Sequence, residues 1–164
     1  MIYIIDTNIL SHANRDHFPI PKNSNFWDWL KVRGEDGEIR IPEWVGEEVG
    51  IGTDGVPAWL AKNKEVLLLK TSDVYAVIPQ VVQAYEDLSE NGIDEESVEQ
   101  LKADPYVVAH ALILGATVVT DEHGKAGRLT NYKEVKVPHV CAKLGVPCIK
   151  FPRFLWDLRA TLPE

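Results

Sequence analysis

The sequence predicts an α/β protein: a parallel sheet of about five short strands, covered by helices on both faces. Three observations predict it. Short apolar runs that read as strands buried on both faces alternate with stretches that read as helices. The first run, Met1-Ile2-Tyr3-Ile4-Ile5, stops abruptly at Asp6-Thr7-Asn8, which puts a carboxylate at the carboxyl end of a central strand. In open α/β sheets that is where ligands bind. No internal repeat, low-complexity stretch or linker interrupts the pattern, so residues 1–164 read as a single domain.

The elements follow in order. Asp6 caps a short helix through about Ala13, and residues 14–23, with Pro19 and Pro21, read as a loop. Ser24 caps a helix carrying Phe26, Trp27, Trp29 and Leu30, which the turn at 34–37 closes. Residues 38–41 are a strand, and Pro42 suits the first turn of a helix through Val49. Gly50, Gly52 and Gly55 loosen the chain before a short helix at 57–61 and a strand at 66–69. Asp73 starts a helical stretch whose apolar face is Val74, Ile78, Val81, Val82, Tyr85 and Leu88, and Asn91-Gly92 ends it. Pro79 inside that stretch calls for a kink or a late start. Residues 94–101 form an acidic amphipathic helix. Asp104-Pro105 opens a helix that Gly115 closes, and residues 117–120 are a strand ending at Asp121-Glu122. A helix at 138–144, a strand at 148–151 and a closing helix at 154–162 complete the chain.

Composition bounds the function. Hydrophobic residues at 45% and charged residues at 26% are ordinary for a globular protein. No apolar run approaches the roughly 18 residues that span a bilayer, and no signal-like N-terminus is present, so a cytoplasmic protein without membrane attachment is expected. Cys141 and Cys148 fit neither a redox pair nor a zinc knuckle and read as reduced thiols. The net charge of −8 is unevenly spread. Residues 1–122 hold 9 Lys and Arg against 22 Asp and Glu, whereas residues 123–164 hold 8 against 3. A basic C-terminal region beside an acidic remainder suits phosphates next to a cation-binding cluster, or is simply an uneven solvated surface.

Four acidic stations carry the chemistry. If the strands are parallel, Asp6 and the Asp121-Glu122 pair lie side by side at one sheet edge. Asp104 starts the helix that leads into the fourth strand. Glu48 lies one turn beyond Trp44 and Val45 on a face that points inward, while Glu47, about 100° round the helix, faces water. Each acid has a plainer reading: Asp6 and Asp104 as helix caps, Glu48 as an exposed helical residue, Asp121-Glu122 as turn residues. Those readings do not explain why all four should meet. Like charges a few ångströms apart raise each other's pKa values, and a divalent cation removes the conflict. Oxygen-only ligands suit Mg2+ or Mn2+ rather than zinc. Such a centre performs metal-assisted phosphodiester hydrolysis.

The same residues carry a family resemblance. Residues 2–11, with Asp6-Thr7-Asn8, resemble the opening of PIN-domain ribonucleases, among them the VapC-like toxins of toxin–antitoxin pairs. Ile41-Pro42 to Glu47-Glu48-Val49, residues 103–111 and residues 116–122 continue the similarity in order, and the tail at 137–149 resembles an uncharacterised PIN-like branch. The resemblance implies a three-layer α/β/α PIN-like fold and Mg2+- or Mn2+-dependent cleavage of RNA. It implies Asp6, Glu48, Asp104 and the Asp121-Glu122 pair as metal ligands. The family's last acid commonly stands at the position of Glu122, but the shorter reach of Asp121 at the strand end gives it slightly more weight. Thr7, Asn8 and Thr120 would orient the acids. A homodimer and a possible antitoxin partner are also implied.

Lys125 and Arg128, in a glycine-flanked stretch after the last acid, are candidate phosphate contacts or solvated loop cations. Gly124-Lys125 lacks the spacing of a phosphate-cradling P-loop. His123 is a candidate metal contact or an ordinary loop residue, and the five tryptophans are core residues or base-stacking platforms. Two other functions compete. A catalytically silent PIN-like module would bind RNA or a protein. A phosphatase with an aspartyl nucleophile would want an acid where Asn8 stands.

Overall fold

The structure is a computed structural model that describes residues 1–50 and 54–164. Gly52, read above as one of three loosening glycines, lies outside the described residues. The elements run β1 (Tyr3–Ile5), α1 (Thr7–His12), α2 (Ser24–Glu35), β2 (Ile39–Pro42), α3 (Glu43–Val49), α4 (Val56–Lys62), α5 (Lys64–Leu67), β3 (Leu68–Leu69), α6 (Ile78–Leu88), α7 (Glu95–Val98), α8 (Asp104–Leu114), β4 (Thr117–Val119), α9 (Val137–Leu144), β5 (Cys148–Ile149) and α10 (Phe151–Asp157). The five strands form one parallel sheet in the order β3-β2-β1-β4-β5, with helices completing the three-layer α/β/α arrangement expected from the sequence.

This order places the site. The chain winds from β1 out through β2 and β3, then returns to build β4 and β5 on the other side of β1. The direction of winding therefore switches between β1 and β4, and the crevice at their carboxyl ends is the position where such sheets bind ligands. Ile4 pairs with Val118 and Ile5 with Val119, so the next residues, Asp6 and Thr120, emerge together. The sheet is held by apolar side chains on both faces: Ile4, Ile5, Ile39, Ile41, Val118 and Val119 are all buried. Trp27 and Trp29 pack in the core and still satisfy their indole N–H groups, donating to the Phe18 carbonyl and the Thr161 hydroxyl.

Several boundaries differ from the sequence reading, each for a physical reason. Residues 14–17, read as the start of a loop, belong instead to a turn of π-helix, Ala13–His17, that extends α1. Ser24 is the first residue of α2 rather than its cap; Asn23 precedes it without a side-chain capping bond. The strand expected at 66–69 shrinks to β3, because residues 64–67 coil into α5 and the Val66 carbonyl accepts from the Arg40 guanidinium instead of a neighbouring strand. Pro79 gives the late start: residues 71–74 are a separate 3-10 turn, and α6 begins at Ile78. It ends at Leu88, before Asn91-Gly92. The acidic segment is a single turn, α7, capped by Asp94, followed by a 3-10 turn at Glu99–Leu101. The closing helix starts at Phe151, not 154. Among the described residues, no helix is long and apolar enough to cross a membrane. Cys141 is buried, Cys148 is half-buried, and neither is in a disulfide.

Candidate metal centre

Asp6 leaves β1 with extended backbone, φ −81° and ψ 159°, and its side chain caps α1: Oδ1 accepts from the Thr7 amide at 2.8 Å. Oδ2 accepts from the Thr120 hydroxyl at 2.7 Å and from the Asn8 amide at 3.2 Å. Thr120 Oγ1 in turn accepts from Asn8 Nδ2 and the Glu122 amide, both at 3.1 Å. A hydroxyl has one proton and two lone pairs, so Thr120 uses its full capacity. Asn8 Oδ1 accepts the Asp121 amide at 2.9 Å. Asp6, Asn8 and Thr120 thus lock the end of β1 to the end of β4. Thr120 is fully buried, so Thr120→Val is expected to cost about 2–4 kcal/mol by orphaning these partners, read as a lower urea midpoint.

The structure brings Asp6, Asp104 and Glu122 together: each offers a carboxylate oxygen, and these oxygens lie within 4.8 Å of one another. Glu122 is steadied by the backbone amide of Val137, the first residue of α9, which donates to Oε2 at 2.9 Å. Asp104 is the first residue of α8, but Ala103 occupies the cap position, so the capping explanation of Asp104 fails. Glu48 stands beside this group on α3. Its Oε1 accepts the Ala103 amide at 3.0 Å and its Oε2 the Thr7 hydroxyl at 2.5 Å. Glu48 therefore ties α3 to the starts of α1 and α8, and Thr7 orients Glu48 through its hydroxyl while reaching Asp6 only through its amide. Glu47 is exposed.

Asp121, given the greater weight in the sequence reading, turns away from the cluster. Its Oδ1 accepts the Phe151 amide at 3.0 Å, capping α10 at the end of the neighbouring strand β5, and its Oδ2 lies 3.1 Å from His12 Nδ1. The Lys150 ammonium donates to the carbonyls of Asp121 and Glu122, fixing the backbone of the pair.

Burial and like charge set the electrostatics. Asp6 is 3% exposed; burial raises its pKa to about 6, with the charges of Glu122 and Glu48 adding to the rise and the Thr120 hydrogen bond opposing it. Burial raises Asp104 to about 8, and Glu122, Asp6 and Glu48 push in the same direction. Lys136 opposes that rise. Lys136 and Lys133 line a cavity of about 250 Å3 together with Asp104, Gln100 and Tyr132. The sequence-predicted phosphate contacts are placed differently. Lys125 pairs with Glu134 at 2.8 Å, and Arg128 pairs with Glu90. His123 is exposed.

The donor set fits a hard cation. Carboxylate oxygens alone converge, as Mg2+ and Mn2+ require, and two of these acids carry pKa values that a nearby positive charge would bring down. Lys133 and Lys136 were not singled out from the sequence; their only signal was the basic excess after residue 122.

Comparison with known proteins agrees with the architecture. A chain of the crystal structure of VapBC2 from Rickettsia felis bound to a DNA fragment from their promoter superposes with a TM-score of 0.51 at 17% sequence identity, covering 92% of this chain and 99% of that one. At that identity the likeness shows the fold alone, a PIN-like three-layer sheet. No curated protein matches the chain. A family model described as "Domain of unknown function (DUF4411)" matches residues 3–162, so the chain belongs to the DUF4411 family.

Proposed function

We propose that the protein is a metal-dependent endoribonuclease of the PIN type, with residues 1–164 forming one nuclease domain. One observation carries this reading: three carboxylates converge within 4.8 Å at the point between β1 and β4 where the winding of the sheet reverses. Asp6, Asp104 and Glu122 would hold Mg2+ or Mn2+. The bound ion supplies a lowered pKa for the attacking water and charge stabilisation of the phosphodiester. Around it, Thr120 and Asn8 hold Asp6 in one orientation, and Glu48 holds Ala103 so that Asp104 faces the crevice. Lys133 and Lys136 favour phosphate oxygens beside Asp104. RNA, rather than DNA, is the substrate on the strength of the PIN resemblance. That resemblance, with the likeness to a chain of a VapBC2 structure, also supports an antitoxin partner and a homodimer, in a cytoplasmic protein.

The test is incubation of the purified protein with labelled RNA and Mn2+, with and without chelator. Cleavage that requires the metal and leaves a 5′-phosphate supports the reading. Cleavage indifferent to the chelator contradicts it, and RNA binding without cleavage favours the silent module.

The acids also give a pH dependence. Asp104 and Asp6 titrate near 8 and 6 when folded, against 3.8 as the ordinary value, so the folded chain retains protons that the unfolded chain releases. Stability of the metal-free protein therefore falls as pH rises from about 4 to about 8. A cation must displace those protons, so its binding strengthens over the upper part of that window. Melting curves with and without Mn2+ are expected to diverge steadily from pH 5.5 to 8.5.

A further inference from the structure

One buried hydroxyl without a partner lies on α6, the helix packed against α8, which Asp104 begins, and against α9, which holds Glu122. Tyr85 lies on the inner face of α6, which packs against both α8 and α9, and the residue is fully buried. A buried phenol normally finds a partner for its O–H. This hydroxyl has none among the described residues. Leaving such a group unpaired is costly, and phenylalanine would bury the same ring without it. Burial first, and then the charges of Asp104, Glu122 and Asp6, raise its pKa and hold its proton on. It is a donor only.

The acids present the reverse pattern. Asp6 accepts from Thr7, Asn8 and Thr120; Glu122 accepts from Val137; Glu48 accepts from Thr7 and Ala103. Asp104, at the start of α8, has no hydrogen-bond donor among the described residues. Carboxylates that ligate a metal are themselves held by outer hydrogen bonds, and losing one such partner typically weakens metal binding about 10–100-fold. The cluster therefore has one acid without a donor and, on the adjoining helix, one buried donor without an acceptor.

We propose that Tyr85 is a positioning residue of the metal centre, whose hydroxyl donates to the Asp104 carboxylate when that carboxylate holds a divalent cation. The inference rests on the reading of the acidic cluster as a metal centre. It explains why a hydroxyl is kept on a ring that packing alone would leave as phenylalanine.

The experiment is Mn2+ titration followed by calorimetry and by electron paramagnetic resonance, on the full chain and on its Tyr85→Phe and Asp104→Asn variants. Thermal melts of each protein without metal accompany it. Tyr85→Phe is expected to fold, to melt without metal at or above the wild-type temperature, and to bind Mn2+ about 10–100-fold more weakly. The resonance of the bound ion should also change. A Tyr85→Phe variant that binds Mn2+ as tightly as wild type overturns the proposal, as does one that only loses metal-free stability, because a purely structural hydroxyl behaves that way. A wild-type protein that takes up no Mn2+, or uptake that survives Asp104→Asn, overturns the metal-centre reading itself and this inference with it.

Discussion

Asp104→Asn is expected to abolish metal-dependent RNA cleavage and, at the same time, to stabilise the metal-free protein. The loss of activity should exceed about 100-fold, since removing an outer partner of a ligand already costs about 10–100-fold. The gain in stability follows from the raised pKa of Asp104, about 8 in the folded chain. At pH 8 the folded state carries a half-buried charge beside Asp6, Glu48 and Glu122, and asparagine removes it without breaking a hydrogen bond. The full shift corresponds to about 5 kcal/mol, and solvent screening of a half-buried carboxylate brings the gain to on the order of 2 kcal/mol, roughly 4–8 °C in Tm for a domain of this size. It should vanish near pH 4, where the carboxyl is protonated in the folded state. A residue that only capped the helix would show neither effect, because asparagine caps as well as aspartate. Asp6→Asn is the less clean variant. The Asn8 amide and the Thr120 hydroxyl both donate to Asp6 Oδ2, and an amide nitrogen placed there would face donors with a donor.

Neighbouring acids after β4 are expected to separate completely. Glu122→Gln keeps an oxygen for the Val137 amide, so α9 stays capped and the fold is retained, but Mn2+ binding and cleavage fall by more than about 100-fold. Asp121→Asn keeps an oxygen for the Phe151 amide and loses only the charge facing His12. It should cost about 1 kcal/mol in stability and leave metal binding within a few-fold of wild type. Parallel calorimetry and melting of the two variants read the difference. Equal loss of metal binding in both would mean that the turn after β4 rearranges on binding.

The choice between these two acids shows where sequence reasoning ends. The apolar runs at 1–5 and 117–120, each halted by acids, were enough to place β1 beside β4 and to put Asp6 at their common edge. Successive residues of an extended segment point to opposite sides, so only one of Asp121 and Glu122 faces Asp6. Which one is decided by what waits on the far side: the bare N-terminus of α10, thirty residues later in the chain, takes Asp121. Shortness of reach at the strand end carries no such information. Asp104 is a similar case. Locally, Asp-Pro before an apolar run reads as a helix cap. The Glu48 carboxylate instead holds the Ala103 amide from fifty-five residues away and moves the cap one position back. Lys125 and Arg128 stand in a basic stretch, but Glu134 and Glu90 pair with them. Tyr85 was legible only as part of an apolar stripe, since nothing in its neighbourhood in sequence tells a buried ring from a buried ring with a purpose for its hydroxyl.

These carboxylates are expected to bind a divalent cation in place of the protons they hold when metal-free. Calorimetric titration of the full chain with Mn2+ near pH 7, repeated in two buffers of different ionisation enthalpy, tests it most directly. Saturable binding is predicted, with a heat that differs between the buffers because protons leave the site as the ion enters. Absence of saturable binding, or binding with no proton release, would contradict it.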